Sequence, residues 1–161
     1  MSEGGEAAPD LSGEPGWKAV KPMKRGSFVS GEPEGDRIRM QYYLTEDGRL
    51  VAMAWFGPGA IGPPGHAHGG SSAAILDEIM GLVAWNAGHA VVAARLTIDY
   101  RKLVPLGIVA RVEAEVDRVE GRRVYVAGRL VGPTGEVLVE GEGLYVKIGE
   151  ERFKQLASEG G

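Results

Sequence analysis

An α+β domain, with one long central helix wrapped by a curved antiparallel sheet of five to six strands, is the fold class this 161-residue sequence predicts. Three observations predict it. A single segment, Gly70 to about Asn86, is long enough for a helix and apolar on nearly every side. Runs on both sides of it carry strand patterning, clearest where Ala110, Val112, Ala114 and Val116 alternate with Arg111, Glu113, Glu115 and Asp117. The turns at Glu120-Gly121 and Pro133-Thr134-Gly135 are too short for a helical crossover, so the strands they join pair antiparallel.

The elements follow in chain order. Residues 1–16 are rich in Gly, Pro and Glu, have no periodic apolar face to offset the entropy of ordering, and read as a flexible tail. Residues 17–148 form the single domain. Its first stretch, Trp17 to Met23, fits equally an ordered cover over the core and more linker. Ile38 to Leu44 and Leu50 to Phe56 flank Thr45-Glu46-Asp47-Gly48, and the Asp-Gly step makes them a hairpin. Ser71 and Ser72 are placed to cap the helix that follows, and Gly88 sits where a helix commonly stops. Val91 to Tyr100, Val109 to Val119, Val124 to Val131 and Val137 to Ile148 complete the strands. Residues 149–161 are a polar tail with one helical turn around Phe153 and Leu156. A helix this apolar must be buried on most sides, which a sheet and a second subunit together can do.

Composition narrows the functions. The absence of Cys excludes disulfides, thiolate catalysis and Cys-based zinc sites. A net charge of −4 argues against general nucleic-acid binding, since no basic excess exists to displace counterions. No apolar stretch reaches the roughly 18 residues of a membrane span, and no signal-peptide pattern is visible, so cytoplasm is the default location and no membrane partner is expected. His66 and His68, with His89 elsewhere, do not assemble the three ligands a zinc site usually needs, and no metal is expected.

Two features concentrate chemistry. Gly62-Pro63-Pro64-Gly65-His66-Ala67-His68-Gly69-Gly70 runs directly into the helix, whose start exposes unpaired N–H groups and the positive end of the macrodipole. Glycine there lets a bulky ligand approach the backbone. Asp77 and Glu78 then interrupt the apolar helix, where carboxylates seldom sit without a partner. Successive residues point about 100° apart on a helix, so the two acids need not share an environment.

These residues resemble the hotdog-fold acyl-CoA thioesterases, in the branch that includes phenylacetate-pathway enzymes and their thioesterase-superfamily relatives. The likeness runs from about Gly57 to Ile148 and is carried by the Gly-Pro-Pro-Gly-x-x-His-Gly-Gly turn, by Asp77 nine positions beyond His68, and by Ile98-x-Tyr100 leading to Val104-Pro105-Leu106. It implies hydrolysis of an acyl-CoA thioester to a free acid and CoA, with CoA part of the substrate and no separate cofactor. It implies that the N–H of Gly69 polarises the thioester carbonyl, that Asp77 acts as nucleophile or as the base that activates water, and that His68 supports them. Gly70 and Glu78 are secondary candidates. Basic residues would hold the phosphates of CoA, with Arg101, Lys102, Arg122 and Arg123 the candidates, and Met80 and Leu82 would line the acyl pocket.

Spacing bears on the assembly. Gly69 and Asp77 are eight residues apart, about 12 Å along one helix axis, so one chain cannot easily aim both at one carbonyl. Two antiparallel copies of the helix can, which predicts a homodimer with a composite site, alone or as a dimer of dimers. The sequence departs from the family pattern at Gly62, where many members have Asn, and at Ala93, where many have Ser or Thr. The missing hydroxyl leaves a non-catalytic acyl-CoA-binding protein as one alternative, and the Gly65-His66 step leaves a hotdog hydratase or dehydratase as another.

Overall fold

The computed structural model of the chain describes residues 7–22 and 27–160. Residues 1–6 of the expected tail and Met23 of the expected cover lie outside the described residues. Among the described residues seven strands and two α-helices are formed, with a short 3-10 turn at Pro58–Ala60: β1 (Lys18–Val20), β2 (Ile38–Leu44), β3 (Leu50–Phe56), α1 (Gly69–Asn86), β4 (Val91–Tyr100), β5 (Val109–Glu120), β6 (Arg123–Val131), β7 (Val137–Lys147) and α2 (Glu150–Glu159).

The strands make one antiparallel sheet in the order β1-β2-β3-β5-β6-β7-β4. Six are those read from the sequence. The seventh, β1, is three residues long and pairs Lys18, Ala19 and Val20 with Leu44, Tyr43 and Tyr42, so this stretch is an added edge strand. It was invisible to periodicity because three residues complete barely one alternation. The β2–β3 hairpin closes through Gly48 at φ +83°, whose N–H donates to the Thr45 carbonyl at 2.9 Å.

The period-two pattern becomes two faces of the sheet. Ala110 and Val112 of β5 are fully buried, as are Val124 and Leu130 of β6 and Val139 of β7. On the other face Arg111 pairs with Glu113 at 3.1 Å, and Arg129 also pairs with Glu113. α1 lies across the buried face through Ser72, Ile75, Leu76, Ile79, Met80 and Ala84. Gly128 of β6 and Gly141 of β7, partners in register, let it approach closely, since a Cβ at either would meet Met80 at 3.0–3.3 Å. Burying side chains such as Phe56, Ile75 and Leu130 stabilises the fold by roughly 1.5–3 kcal/mol each.

Part of the apolar surface stays uncovered in the single chain. β4 is an edge strand, and Leu96 and Tyr100 on its inner face are 36% and 55% exposed. Beyond β7, α2 makes ten residues of helix, longer than the single turn expected, and seats Phe153 with its ring centroid 4.6 Å from that of Trp85 at the end of α1. In the N-terminal segment the Leu11 carbonyl accepts a hydrogen bond from Tyr43, and Glu14 pairs with Arg111 at 3.3 Å. Among the described residues no helix is long and apolar enough to cross a membrane.

Candidate active site at the start and middle of the long helix

The Gly/Pro turn is held by the backbone on both sides. Gly62 N–H donates to His66 O at 2.9 Å, His68 N–H to Ala60 O at 2.7 Å, and Ala67 N–H to Val104 O at 2.8 Å. Gly62 itself lies against His68, and a Cβ there would come within 2.6 Å of the His68 Cα. The departure from Asn at this position therefore has a steric reason: the turn is too tight for any side chain.

α1 begins at Gly69, one residue before the expected start, and this shift changes the cap. His68 is the N-cap residue, with Nδ1 accepting the Gly70 N–H at 2.9 Å. Neither serine does what the sequence suggested. Ser71 falls inside the first turn, where its hydroxyl donates to the His68 carbonyl at 2.6 Å, and Ser72 is buried. Gly70 is what allows the histidine to serve, because a Cβ there would crowd the ring at 3.0 Å. The Gly69 N–H has no acceptor among the described residues, so a donor stands ready at the positive end of the helix.

Tyr100 closes over this point. Its hydroxyl donates to the Gly69 carbonyl at 2.8 Å, and its ring lies where a Gly69 side chain would have to go. Beside it opens a cavity of about 340 Å³ lined by Gly69, Ser72, Tyr100, Arg101, Lys102 and Leu103, among others. Two of the four candidate CoA-binding residues, Arg101 and Lys102, thus stand at the helix start, with Arg101 also paired to Glu140 at 2.9 Å. Arg122 and Arg123 do not join them. They sit at the β5–β6 turn, beside Lys147 and the opposite end of β4.

Asp77 and Glu78 occupy separate environments, as their angular separation requires. Asp77 Oδ1 accepts from the Tyr145 hydroxyl at 2.7 Å, and the same hydroxyl lies 3.0 Å from the Asp77 carbonyl. Glu78 turns toward the other side of α1, where Oε1 accepts from Ser27 at 3.0 Å and from Tyr42 at 3.3 Å. Burial pushes the Glu78 carboxyl above its ordinary range, against the lowering effect of those two hydrogen bonds. Burial likewise raises the Tyr42 and Tyr145 phenols, with Glu78 and Asp77 respectively adding to the effect. Met80 is fully buried on Gly128 and Gly141, in the core of the single chain. His66 is a turn residue with Nδ1 2.8 Å from the Pro64 carbonyl.

Tyr145 is the residue that the sequence did not single out. Its signal was present in Gly141-x-Gly143-x-Tyr145, where small residues on the buried face of a strand mark room made for a large neighbour. A side chain at Gly143 would overlap the Tyr145 ring.

Comparisons with known proteins agree with this fold. The Thioesterase superfamily model matches residues 64–139, which span the turn, α1 and the strands up to β7. The acyl-coenzyme A thioesterase THEM4 of Xenopus laevis is 32% identical over 108 residues, covering 66% of this chain and 49% of that protein. The crystal structure of a thioesterase superfamily protein, 31% identical, superposes with a TM-score of 0.64 over 68% of this chain and 54% of the other. A Bacillus halodurans protein crystallised with CoA, 28% identical, gives 0.61 over 68% and 74%. The chain spans about half the length of the THEM4 relative it matches.

Proposed function

We propose that this chain, which matches the Thioesterase superfamily model over residues 64–139, is a hotdog-fold thioesterase that hydrolyses acyl-CoA thioesters to a free acid and CoA at a site shared between two copies. The observation that carries this is the division of labour along α1. A free N–H at Gly69 stands beside a cleft with Arg101 and Lys102, and a half-buried carboxylate, Asp77, is fixed two turns further on by Tyr145.

Thioester hydrolysis gathers negative charge on the carbonyl oxygen, and a preorganised N–H aimed at that oxygen contributes on the order of 3–4 kcal/mol to lowering the barrier. Asp77 then either attacks the carbonyl carbon or takes a proton from the water that does; in both routes the C–S bond breaks and the thiolate of CoA leaves, and on the first route water then cleaves the acyl-Asp77 anhydride to release the acid. Water is the only co-reactant. Arg101 and Lys102 at the mouth of the cleft suit the phosphates of CoA.

The homodimer is supported by β4. Tyr100, at its C-terminal end, touches Gly69, while Ala93, near its N-terminal end, is the register partner of Tyr145, which holds Asp77. The two halves of the chemistry are therefore attached to opposite ends of one exposed edge strand. Antiparallel pairing of β4 with its copy lays one protomer's Gly69 end beside the other's Asp77 end and covers Leu96 and Tyr100. It also brings Arg122 and Arg123 of one copy toward Arg101 and Lys102 of the other. The cytoplasmic setting of this proposal rests on the sequence alone.

The test is thiol release from short, long and aromatic acyl-CoAs by wild type and Asp77→Asn. Turnover that disappears in Asp77→Asn while acyl-CoA binding persists supports hydrolysis. Binding without turnover in wild type shows an acyl-CoA-binding protein instead, and addition of water to an enoyl-CoA shows a hydratase.

A further inference from the structure

Resting on the hydrolase proposed above, we infer that Tyr145 is the positioning residue for Asp77, its buried hydroxyl holding one carboxylate oxygen so that the other is presented to the reacting thioester or water. Tyr145 is 2% exposed and reaches from β7 to α1, with 2.7 Å to Asp77 Oδ1. The same hydroxyl lies 3.0 Å from the Asp77 carbonyl, so it ties the side chain back against its own backbone and restricts its rotation. Asp77 Oδ2 has no hydrogen-bond partner among the described residues. One oxygen is engaged and one is left for chemistry.

The ring has a fitted seat. Gly143, two residues earlier on β7, provides the space on one side, and Gly81, one turn beyond Asp77 on α1, lies on the other, where a Cβ would stand 3.6 Å from Tyr145 Cε1. A side chain so confined keeps its hydroxyl in place without further hydrogen bonds, which is the support a catalytic carboxylate needs to stay within a few tenths of an ångström of productive geometry. Burial and the neighbouring carboxylate both raise the phenol, so it remains a protonated donor over the whole working range. Its strand position gives the arrangement meaning. Tyr145 pairs in register with Ala93, which has no hydroxyl of its own to offer.

A merely structural tyrosine would be satisfied by the Asp77 carbonyl alone, and its loss would lower stability without touching turnover. The experiment is therefore a kinetic one on the full chain, comparing wild type, Tyr145→Phe, Asp77→Asn and the double variant, with acyl-CoA as substrate and thermal melting alongside. The expected result is a roughly 10- to 100-fold fall in kcat for Tyr145→Phe, the size expected for a lost hydrogen bond to a charged group, with KM within about twofold. The double variant should be no slower than Asp77→Asn. If Tyr145→Phe melts too low to assay, the same comparison is made at lower temperature with sucrose as a stabilising osmolyte. Wild-type kcat in Tyr145→Phe, with Asp77→Asn inactive, overturns the inference and leaves the hydrolase standing. Additive losses in the double variant overturn it as well. A wild type that releases no thiol from any acyl-CoA ends both.

Discussion

Replacing His68 separates the cap it supplies from the catalytic support proposed for it. In His68→Ala the Gly70 N–H loses the Nδ1 acceptor 2.9 Å away, its only side-chain partner among the described residues. Loss of an N-cap acceptor costs about 1 kcal/mol, within a range of roughly 0.5–2. For a domain of this size that lowers Tm by roughly 2–4 °C. The same N-terminal turn carries the Gly69 N–H, and if the full ~1 kcal/mol is felt in its aim at the carbonyl, kcat falls about fivefold. His68→Asn supplies a short side-chain oxygen that can accept the same N–H, so both effects should largely be reversed. The measurements are thermal melting by circular dichroism and kcat from thiol release. If His68→Asn melts as low as His68→Ala, or if His68→Ala changes neither Tm nor kcat, the cap is not what fixes the helix start.

Glu78 gives a pH signature of stability. Its carboxyl is raised in the folded state, so the stability associated with its neutral form is fully present below the unfolded value and is lost as pH rises through the folded one. Glu78→Gln should then flatten the fall of Tm as pH rises through the raised carboxyl and melt higher than wild type at neutral pH, while thiol release continues. A steeper fall in the variant would contradict the burial of this acid. Gly81→Ala should stabilise by about 0.5–1 kcal/mol, because it removes helix-interior glycine where an added Cβ meets only ordinary contact with Tyr145; a lower Tm would show the seat to be tighter than that distance implies. Leu96→Lys places a charge on the exposed inner face of the edge strand and should yield a folded monomer with little turnover, read by light scattering and thiol release. An active Leu96→Lys monomer would end the shared site.

The sequence by itself determined most of the elements and the neighbourhood of the proposed chemistry. Period-two runs around one apolar helix are local patterns, set by which side chains must face away from water, and six of the seven strands followed from them. The Gly/Pro turn with His68, Gly69 and Gly70 was legible for the same reason: a helix start and its anion-favouring N–H groups are made by consecutive residues. Only the tertiary structure decided what each side chain touches. That Glu78 turns to Ser27 and Tyr42 while Asp77 meets Tyr145 depends on contacts 36 to 68 residues apart in the chain, for which no local period exists. The cap passed from serine to histidine because the helix starts one residue earlier, a boundary shift within the ordinary uncertainty of reading ends from pattern. Gly62 and Gly143 show the same limit from the other side. Their glycines are readable as glycines, but the atoms that exclude a side chain there, those of His68 and of the Tyr145 ring, are brought up only by the fold.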